Sequence, residues 1–213
     1  MAYIGSKPAD KALTGADIED GTIQIADLAA TGTKDATTFL RGDGTFASAG
    51  GITEVDFFML TSDLSLSANV ETVLTGLARP SSGNYFNVMG RIGTGLSMSS
   101  GVLSFSNTGI YRVEFYSTFM NSSASNPRYC QNYIDYSTDS GSVYKTIVIG
   151  SSNISEISSG GTFNNTFTSV HVDVTNVSTH RMRFRAVSEE ATSLRSNTNY
   201  ARTYVAVIRL GDT

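Results

Sequence analysis

Disulfide bonds within the chain are excluded, because the sequence contains a single cysteine, Cys130. Stability must therefore come from packing or from association between chains, and we expect Cys130 to pack as a small apolar group. Tryptophan is absent, and charged residues make up only 16% of the sequence, against about a quarter in an average soluble domain. Ser, Thr, Asn and Gly are abundant instead, which is typical of all-β proteins.

The sequence also lacks the charge pattern and the apolar runs that two classes of partner require. Its formal net charge is −4 and Lys and Arg form no cluster, so a nucleic-acid partner is not predicted. No stretch approaches the roughly 18 consecutive apolar residues of a membrane span, and residues 1–13 lack the apolar segment of a signal peptide. We therefore expect no membrane partner and synthesis in a cytosol.

Catalytic and metal-binding signatures are missing as well. His171 and His180 are the only histidines, and they do not have the HxH or HExxH spacing of metal ligands. A Cys130–His171 thiol dyad and a glycoside-cleaving acid at Glu189 or Glu190 are conceivable, but a packed cysteine and a solvated loop explain these residues better. There is no G-x-S-x-G elbow and no phosphate-binding glycine loop. The sequence thus predicts a protein that is not an enzyme and has no metal and no cofactor.

Residues 1–50 differ in composition from the rest of the chain. They contain only three aromatic residues and three of the four lysines, so they cannot close a core of their own. We interpret residues 1–50 as an N-terminal attachment arm and linker that needs a partner surface for order, and residues 51–213 as a head domain. The residues expected to attach the arm to its partner are Tyr3, Ile4, Ile18, Ile23, Leu28, Phe39, Leu40 and Phe46.

Alternation with a period of two, which indicates half-buried strands, begins after residues 50–51. The predicted strands are Val55–Thr61, Glu71–Thr75, Tyr85–Met89, Gly101–Phe105, Gly109–Met120, Arg128–Tyr136, Val143–Ile149, Thr166–Thr175, Arg181–Ser188 and Arg202–Leu210. Turn residues at 106–109 predict that the fourth and fifth of these strands form a β-hairpin. In Arg181–Ser188 the arginines alternate with apolar residues, so we expect the arginine side to face solvent. Together the strands predict an all-β, antiparallel two-sheet sandwich.

Five residues at regular intervals indicate which sandwich this is. Gly101, Phe105, Gly109, Tyr111 and Phe115 have the spacing G-x3-F-x3-G-x-Y-x3-F. This spacing resembles the second and third strands of the C1q/TNF-like jelly roll, and the resemblance implies a jelly-roll head that forms a homotrimer. The first and last head strands are apolar on both faces, which also suits burial against a partner chain. The expected interface residues are Phe58, Tyr116, Tyr204 and Val207.

The segment Thr38–Ala47 reads TFLRGDGTFA. With the preceding SKPADKALTGADIEDGTI it resembles the N-terminal and linker segments of bacteriophage tail-fibre and related virion-fibre proteins, where a T-F-L-R-G-D-G-T-W/F-A module is frequent. The resemblance implies a virion structural protein, made in the bacterial host cytoplasm, whose arm binds other virion proteins of the tail, the portal-adjacent region or the capsid. An integrin-binding loop is the alternative for Arg41–Asp43. Gly-Asp-Gly favours a turn, however, and Leu40 and Phe46 suit a hairpin that docks on neighbouring chains.

Alternating strands place the long loops 120–127, 150–165 and 189–201 at the end of the head away from the arm. Long loops on a rigid sandwich are common binding sites, and plain solvent-exposed connections are the alternative. The candidate receptor-binding residues, for a glycan or protein of the host surface, are Asn126, Arg128, Asn153, Asn164, Arg195 and Tyr200.

The resulting hypothesis is a trimeric phage fibre that attaches to the particle through its N-terminal arm and presents a receptor-binding head to the host. A capsid decoration protein, which would stabilise the capsid without binding a receptor, is the alternative. A polysaccharide-cleaving tail enzyme is a weaker one.

Overall fold

The computed structural model describes residues 30–33, 35, 38–48, 51–80, 91–157, 159–197 and 199–213. The chain divides after Gly50 into two units. Within the described residues, regular structure consists of strands only, without a helix.

The first unit contains a hairpin of two short strands, β1 (Thr38–Leu40) and β2 (Phe46–Ser48), which pair antiparallel. The backbone amide of Arg41 donates to the carbonyl of Thr45 at 2.8 Å. The Asp43 carboxylate accepts bonds from the Thr45 amide at 3.0 Å and the Thr45 hydroxyl at 2.6 Å. These bonds tie residues 41–45 into a closed turn, so the hairpin expected here is confirmed.

The second unit is a sandwich of two sheets. Its seven-stranded sheet consists of β3 (Glu54–Leu60), β4 (Leu64–Leu66), β6 (Leu77–Ala78), β9 (Gly109–Asn121), β12 (Thr162–Val174), β14 (Thr192–Leu194) and β15 (Tyr204–Gly211). Its six-stranded sheet consists of β5 (Thr72–Val73), β7 (Ser97–Ser99), β8 (Val102–Ser104), β10 (Cys130–Ser137), β11 (Lys145–Ser152) and β13 (Arg181–Ser188). All strand pairs in both sheets are antiparallel, which confirms the predicted fold class.

Strand direction defines two ends of this sandwich. Strands β3 and β9 begin at the end where the unit starts at Gly51, which we call the base, and the loops 105–108, 138–144 and 175–180 lie there. The loops 122–129, 153–161 and 195–203 lie at the opposite end, which we call the tip, together with the short strand β14 and residues 189–191 that precede it. The long loops therefore share one end, as the alternation of strands predicts.

Side chains from both sheets meet in the core. On β9, Tyr111, Val113, Phe115 and Phe119 point inward and are fully buried, in agreement with the predicted alternation. The rings of Phe115 and Phe184 meet edge to face with centroids 5.3 Å apart. Burial of each such side chain contributes about 1.5–3 kcal/mol to folding, so this layer is what holds the two sheets together.

The predicted hairpin of residues 101–105 with the strand from Gly109 is wrong. Strand β8 pairs with β7 and β13 in the six-stranded sheet, whereas β9 belongs to the seven-stranded sheet, so residues 105–108 cross between the sheets. The real hairpin joins β7 to β8 through Ser100 and Gly101, whose φ angles are 50° and 77°. Turn-forming residues mark a change of direction but do not specify which strand the chain pairs with next.

Two further expectations need correction. Phe58 and Val207 are each 1% exposed and lie in the core of a single chain, because their positions have inward parity on β3 and β15; they cannot contribute to an interface. Arg185 does not face solvent either, since it is 8% exposed and ion-paired with Asp135. The strand predicted at Tyr85–Met89 lies outside the described residues.

Candidate functional site

The tip loops 122–129 and 153–161 pack against each other. The Asn121 side-chain amide donates to the carbonyl of Ser125 at 2.7 Å and to that of Ser155 at 3.4 Å. The amide of Ile157 donates to the carbonyl of Ser123 at 3.3 Å, and the Asn164 side chain donates to the carbonyl of Asn153. The structure thus brings Asn126, Asn153 and Asn164 into one loop cluster, in which Asn126 and Asn153 are exposed and Asn164 is partly buried.

Arg128 lies at the tip but its charge is already neutralised. Its guanidinium and its backbone amide both bind the Glu189 carboxylate, at 2.6 Å from Nε and 2.7 Å from the amide. Hydrogen bonds from the Arg128 side chain and backbone lower the pKa of Glu189, so the pair stays ionised. Glu189 is therefore occupied as a partner of Arg128 and is not positioned as a catalytic acid.

Arg195 and Tyr200 lie in a third tip loop and have different surroundings. Arg195 forms an ion pair with Asp63, whose carboxylate also accepts bonds from Ser196 at 2.7 Å and 3.0 Å. Tyr200 is 49% exposed and its hydroxyl accepts a bond from Arg202 at 2.9 Å. The structure connects Tyr200 to Arg202 rather than to Arg195.

Arg202 and Phe163 were not predicted as site residues, yet they complete the environment of Tyr200. The Arg202 guanidinium carbon lies 5.1 Å from the centroid of the Phe163 ring and 5.3 Å from that of Tyr200. Phe163 is 51% exposed on the outward face of β12. The sequence signal for both residues is weak: extending β12 back to Thr162 places Phe163 outward, and Arg202 follows Tyr200 by two positions.

A row of aromatic rings crosses the outward face of the seven-stranded sheet. Phe57 and Tyr204 stack with centroids 4.9 Å apart, Tyr204 and Tyr116 stack at 5.3 Å, and Phe167 is the cross-strand partner of Tyr116. Phe167 is 52% exposed, and burial of the Tyr204 phenol raises its pKa. Of the expected interface residues, Tyr116 and Tyr204 therefore lie on this outward face.

A second apolar surface follows the edge of the sandwich. Among the described strands, β11 pairs only with β10 and β12 only with β9, so each has one edge without a paired strand. Ile149 on β11 is 53% exposed and Ile147 is 40% exposed. Exposed β-branched side chains on an edge strand are unusual in a monomer, because they invite pairing with another chain.

The two histidines and the cysteine are not brought together. Cys130 is fully buried in the core, where burial raises the pKa of its thiol, whereas His171 is exposed on the outward face of β12. His180 contacts the Tyr136 hydroxyl at 2.5 Å from its Nδ1, and Tyr136 also donates to the carbonyl of Asp173 at 3.0 Å. Burial raises the pKa of Tyr136 to about 12. The thiol dyad is therefore absent, and Cys130 packs as predicted.

A cleft of about 420 Å³ at the base is lined by Tyr136, Ser137, Thr138, Asp139, Val143, Lys145 and Ile147. The residues that the structure describes include no group of three or more His, Cys, Asp or Glu side chains placed to hold a metal ion. No helix among them has the length and apolarity needed to cross a membrane.

Part of the expected attachment surface lies on the β1–β2 hairpin. Phe39 is 48% exposed and Leu40 is 46% exposed, whereas Phe46 is partly buried. Tyr3, Ile4, Ile18, Ile23 and Leu28 lie outside the described residues.

No protein-family profile and no curated protein sequence matches this chain. Among solved structures, the chain is similar to Eiger TNF from S. frugiperda, with a TM-score of 0.55 and 11% identity over 76% of this chain and 96% of that one. It is also similar to murine APRIL, with a TM-score of 0.52 and 11% identity over 74% of this chain and 98% of that one. Similarity at such low identity establishes the fold alone, and it confirms the TNF-like jelly roll.

Proposed function

We propose that this chain is a structural virion protein, a phage fibre that binds the particle through residues 1–50 and presents its jelly roll to the host surface. The observation that carries the proposal is the segment Thr38–Ala47, which matches the fibre module in sequence and forms a hairpin with two half-exposed apolar side chains, Phe39 and Leu40. Its mechanism is binding rather than catalysis.

The head self-associates in this proposal. The aromatic row on the seven-stranded sheet and the apolar edge formed by Ile147 and Ile149 of β11 are two different surfaces of the same chain. A contact between two different surfaces is heterologous, and repeated heterologous contacts close into a ring when the rotation between neighbours permits it. A ring of three, in which the edge of each protomer covers the sheet of the next, buries both surfaces and supports the homotrimer.

The tip then faces the host. Gly51 lies at the base, so an arm that holds the particle leaves the opposite end of each head free. A trimer presents each tip site three times, and several weak sites that engage together give much stronger adhesion than one.

The test separates attachment to the particle from binding by the head. A truncated chain that starts at Gly51 is expected to fold and self-associate but to be missing from particles, whereas the full chain is incorporated and detected by immunogold labelling. Incorporation of the truncated chain would overturn the role of the arm. Labelling over the whole capsid, with no adsorption of the head to host cells, would favour the decoration protein, and release of sugar from host envelopes would favour the enzyme.

A further inference from the structure

We propose that Arg202, Phe163 and Tyr200 form a binding site for an acidic sugar, in which Arg202 binds the carboxylate and the two rings border the pyranose. The proposal rests on the proposed function, because it names the class of host-surface ligand that the tip recognises. It moves the expected site from the loop cluster of Asn126 and Asn153 to the junction of the tip with the outward face of the seven-stranded sheet.

The charge of Arg202 is the first argument. Other arginines of the tip are paired, Arg128 with Glu189 and Arg195 with Asp63. Among the described residues Arg202 has no carboxylate partner, and its side chain donates only to the Tyr200 hydroxyl, at 2.9 Å from Nη2. A guanidinium has five N–H donors in a planar fork that matches a carboxylate, so several donors here are left for a ligand.

The two rings provide the second argument. They lie 5.1 Å and 5.3 Å from the guanidinium carbon, so apolar ring surface lies directly beside the cation that would bind a carboxylate. Phe163 and Tyr200 are themselves about half exposed, at 51% and 49%. Ligand sites typically combine apolar ring surface with a few precisely placed polar groups, and a sugar with a carboxylate has the complementary combination.

The backbone beneath the site is rigid. The Thr118 hydroxyl donates to the carbonyl of Arg202 at 2.9 Å, and the Thr203 hydroxyl accepts from the Thr118 amide at 3.2 Å. The amide of Leu60 donates to the carbonyl of Thr203 at 2.9 Å, and Thr203 is fully buried. The backbone that carries the Arg202 side chain is thus bonded to β9 at Arg202 and to β3 at Thr203 before any ligand arrives, which reduces the entropy lost on binding.

The experiment titrates the full chain by calorimetry with two matched pairs of probes: trigalacturonic acid against its methyl ester, and sialyllactose against lactose. We expect at least one acidic member to bind while its neutral counterpart does not. Arg202→Gln should weaken that binding at least tenfold and Phe163→Ala several-fold. Arg91→Gln is the control, because it makes the same charge change on an exposed arginine at the base.

Three results would overturn the proposal: no binding of either acidic probe, equal binding of the acidic and neutral members, or wild-type affinity of Arg202→Gln. If the wild type binds neither acidic probe and Arg202→Gln has a lower oligomer mass than the wild type, the guanidinium binds a carboxylate of a second copy instead of a sugar. Incorporation of the chain into particles is measured separately, so loss of the sugar site and failure of the fibre assignment are distinguishable.

Discussion

Asp135 is 1% exposed and lies between two guanidinium groups, Arg183 at 2.8 Å and Arg185 at 2.6 Å. Arg185 is almost as deeply buried, and the exposed Glu71 is its second carboxylate partner. Asp135→Asn removes the buried negative charge while keeping the shape, so Arg185 loses its main counter-ion in a dry environment. We expect a loss of about 3–5 kcal/mol in the free energy of unfolding, measured by urea denaturation.

The matched control is Glu71→Gln, which removes a charge from the solvent-exposed side of the same arginine. Exposed ion pairs contribute about 0–1 kcal/mol, so this variant should unfold near the wild-type midpoint. Equal losses for the two variants would contradict a dominant role of Asp135.

The buried Asp135 carboxylate also predicts how stability depends on pH. Burial alone would raise the pKa of Asp135, but hydrogen bonds from Arg185, Arg183 and Thr146 outweigh it and hold that pKa below its ordinary value. In the unfolded chain the pKa of an Asp carboxyl is about 4, and in the folded chain the pKa of Asp135 is lower. The stability that the ionised carboxylate contributes is therefore complete at a pH above the first value and is lost as the pH falls through the second. The difference in unfolding free energy between wild type and Asp135→Asn should stay constant above about pH 5 and shrink below pH 4.

At the scale of elements, the β7–β8 hairpin has a turn that only glycine fits. Gly101 has φ of 77°, and a Cβ there would lie 2.8 Å from the carbonyl oxygen of Leu74 and 2.9 Å from Val73 Cγ1. Gly101→Ala adds a left-handed backbone penalty to a steric overlap, so we expect a loss of about 2–4 kcal/mol by thermal or urea unfolding. Gly211→Ala is the control, because its Cβ would meet nothing within 4 Å. Similar unfolding midpoints for the two variants would contradict this assignment of the turn.

How far the sequence predicts these elements depends on their length. Strands β3, β9, β10, β12, β13 and β15 span between 7 and 13 residues, enough for alternation to identify them. Strands β4, β7 and β14 have 3 residues each, and no periodicity exists over such a length. Pairing is a further unknown, because whether residues 105–108 reverse or cross between sheets depends on distant strands such as β13.

Prediction of the site has the same limit. Exposure at the tip follows from strand order, so Asn126, Asn153 and Tyr200 could be named from the sequence. The partners of Arg128 and Arg195 could not, because Glu189 and Asp63 lie 61 and 132 positions away along the chain and meet them only in the folded sandwich. The same holds for Arg202 and Phe163, which β9 brings together.

At the scale of the whole molecule, the proposed trimer depends on the aromatic row on the outward face of the seven-stranded sheet. Phe167→Glu places a charge beside Tyr116 on that face, and burying this charge at an interface costs several kcal/mol. We expect light scattering to give three times the chain mass of 22.7 kDa for wild type and a fall towards one chain mass for the variant.

Val70→Glu is the control for this prediction. Val70 is 50% exposed, close to the 52% of Phe167, but it lies outside the aromatic face and the apolar edge. It should leave the mass unchanged. A wild-type protein that stays monomeric at micromolar concentration would contradict the trimer outright.

Cys130 is the single cysteine of the chain and is fully buried, so the rate of its chemical labelling measures how often the core opens. The thiol lies in the core 3.3 Å from the Ser188 hydroxyl, and burial raises its pKa despite that bond. A maleimide can reach it only when the core opens around β10 or the domain unfolds, so the labelling rate, followed by mass spectrometry, measures the opening of this part of the sandwich. We expect slow labelling of the wild type, faster labelling of Asp135→Asn and little change for Glu71→Gln. Complete labelling of the native chain within seconds would contradict this expectation, because it would mean that the core around β10 opens freely.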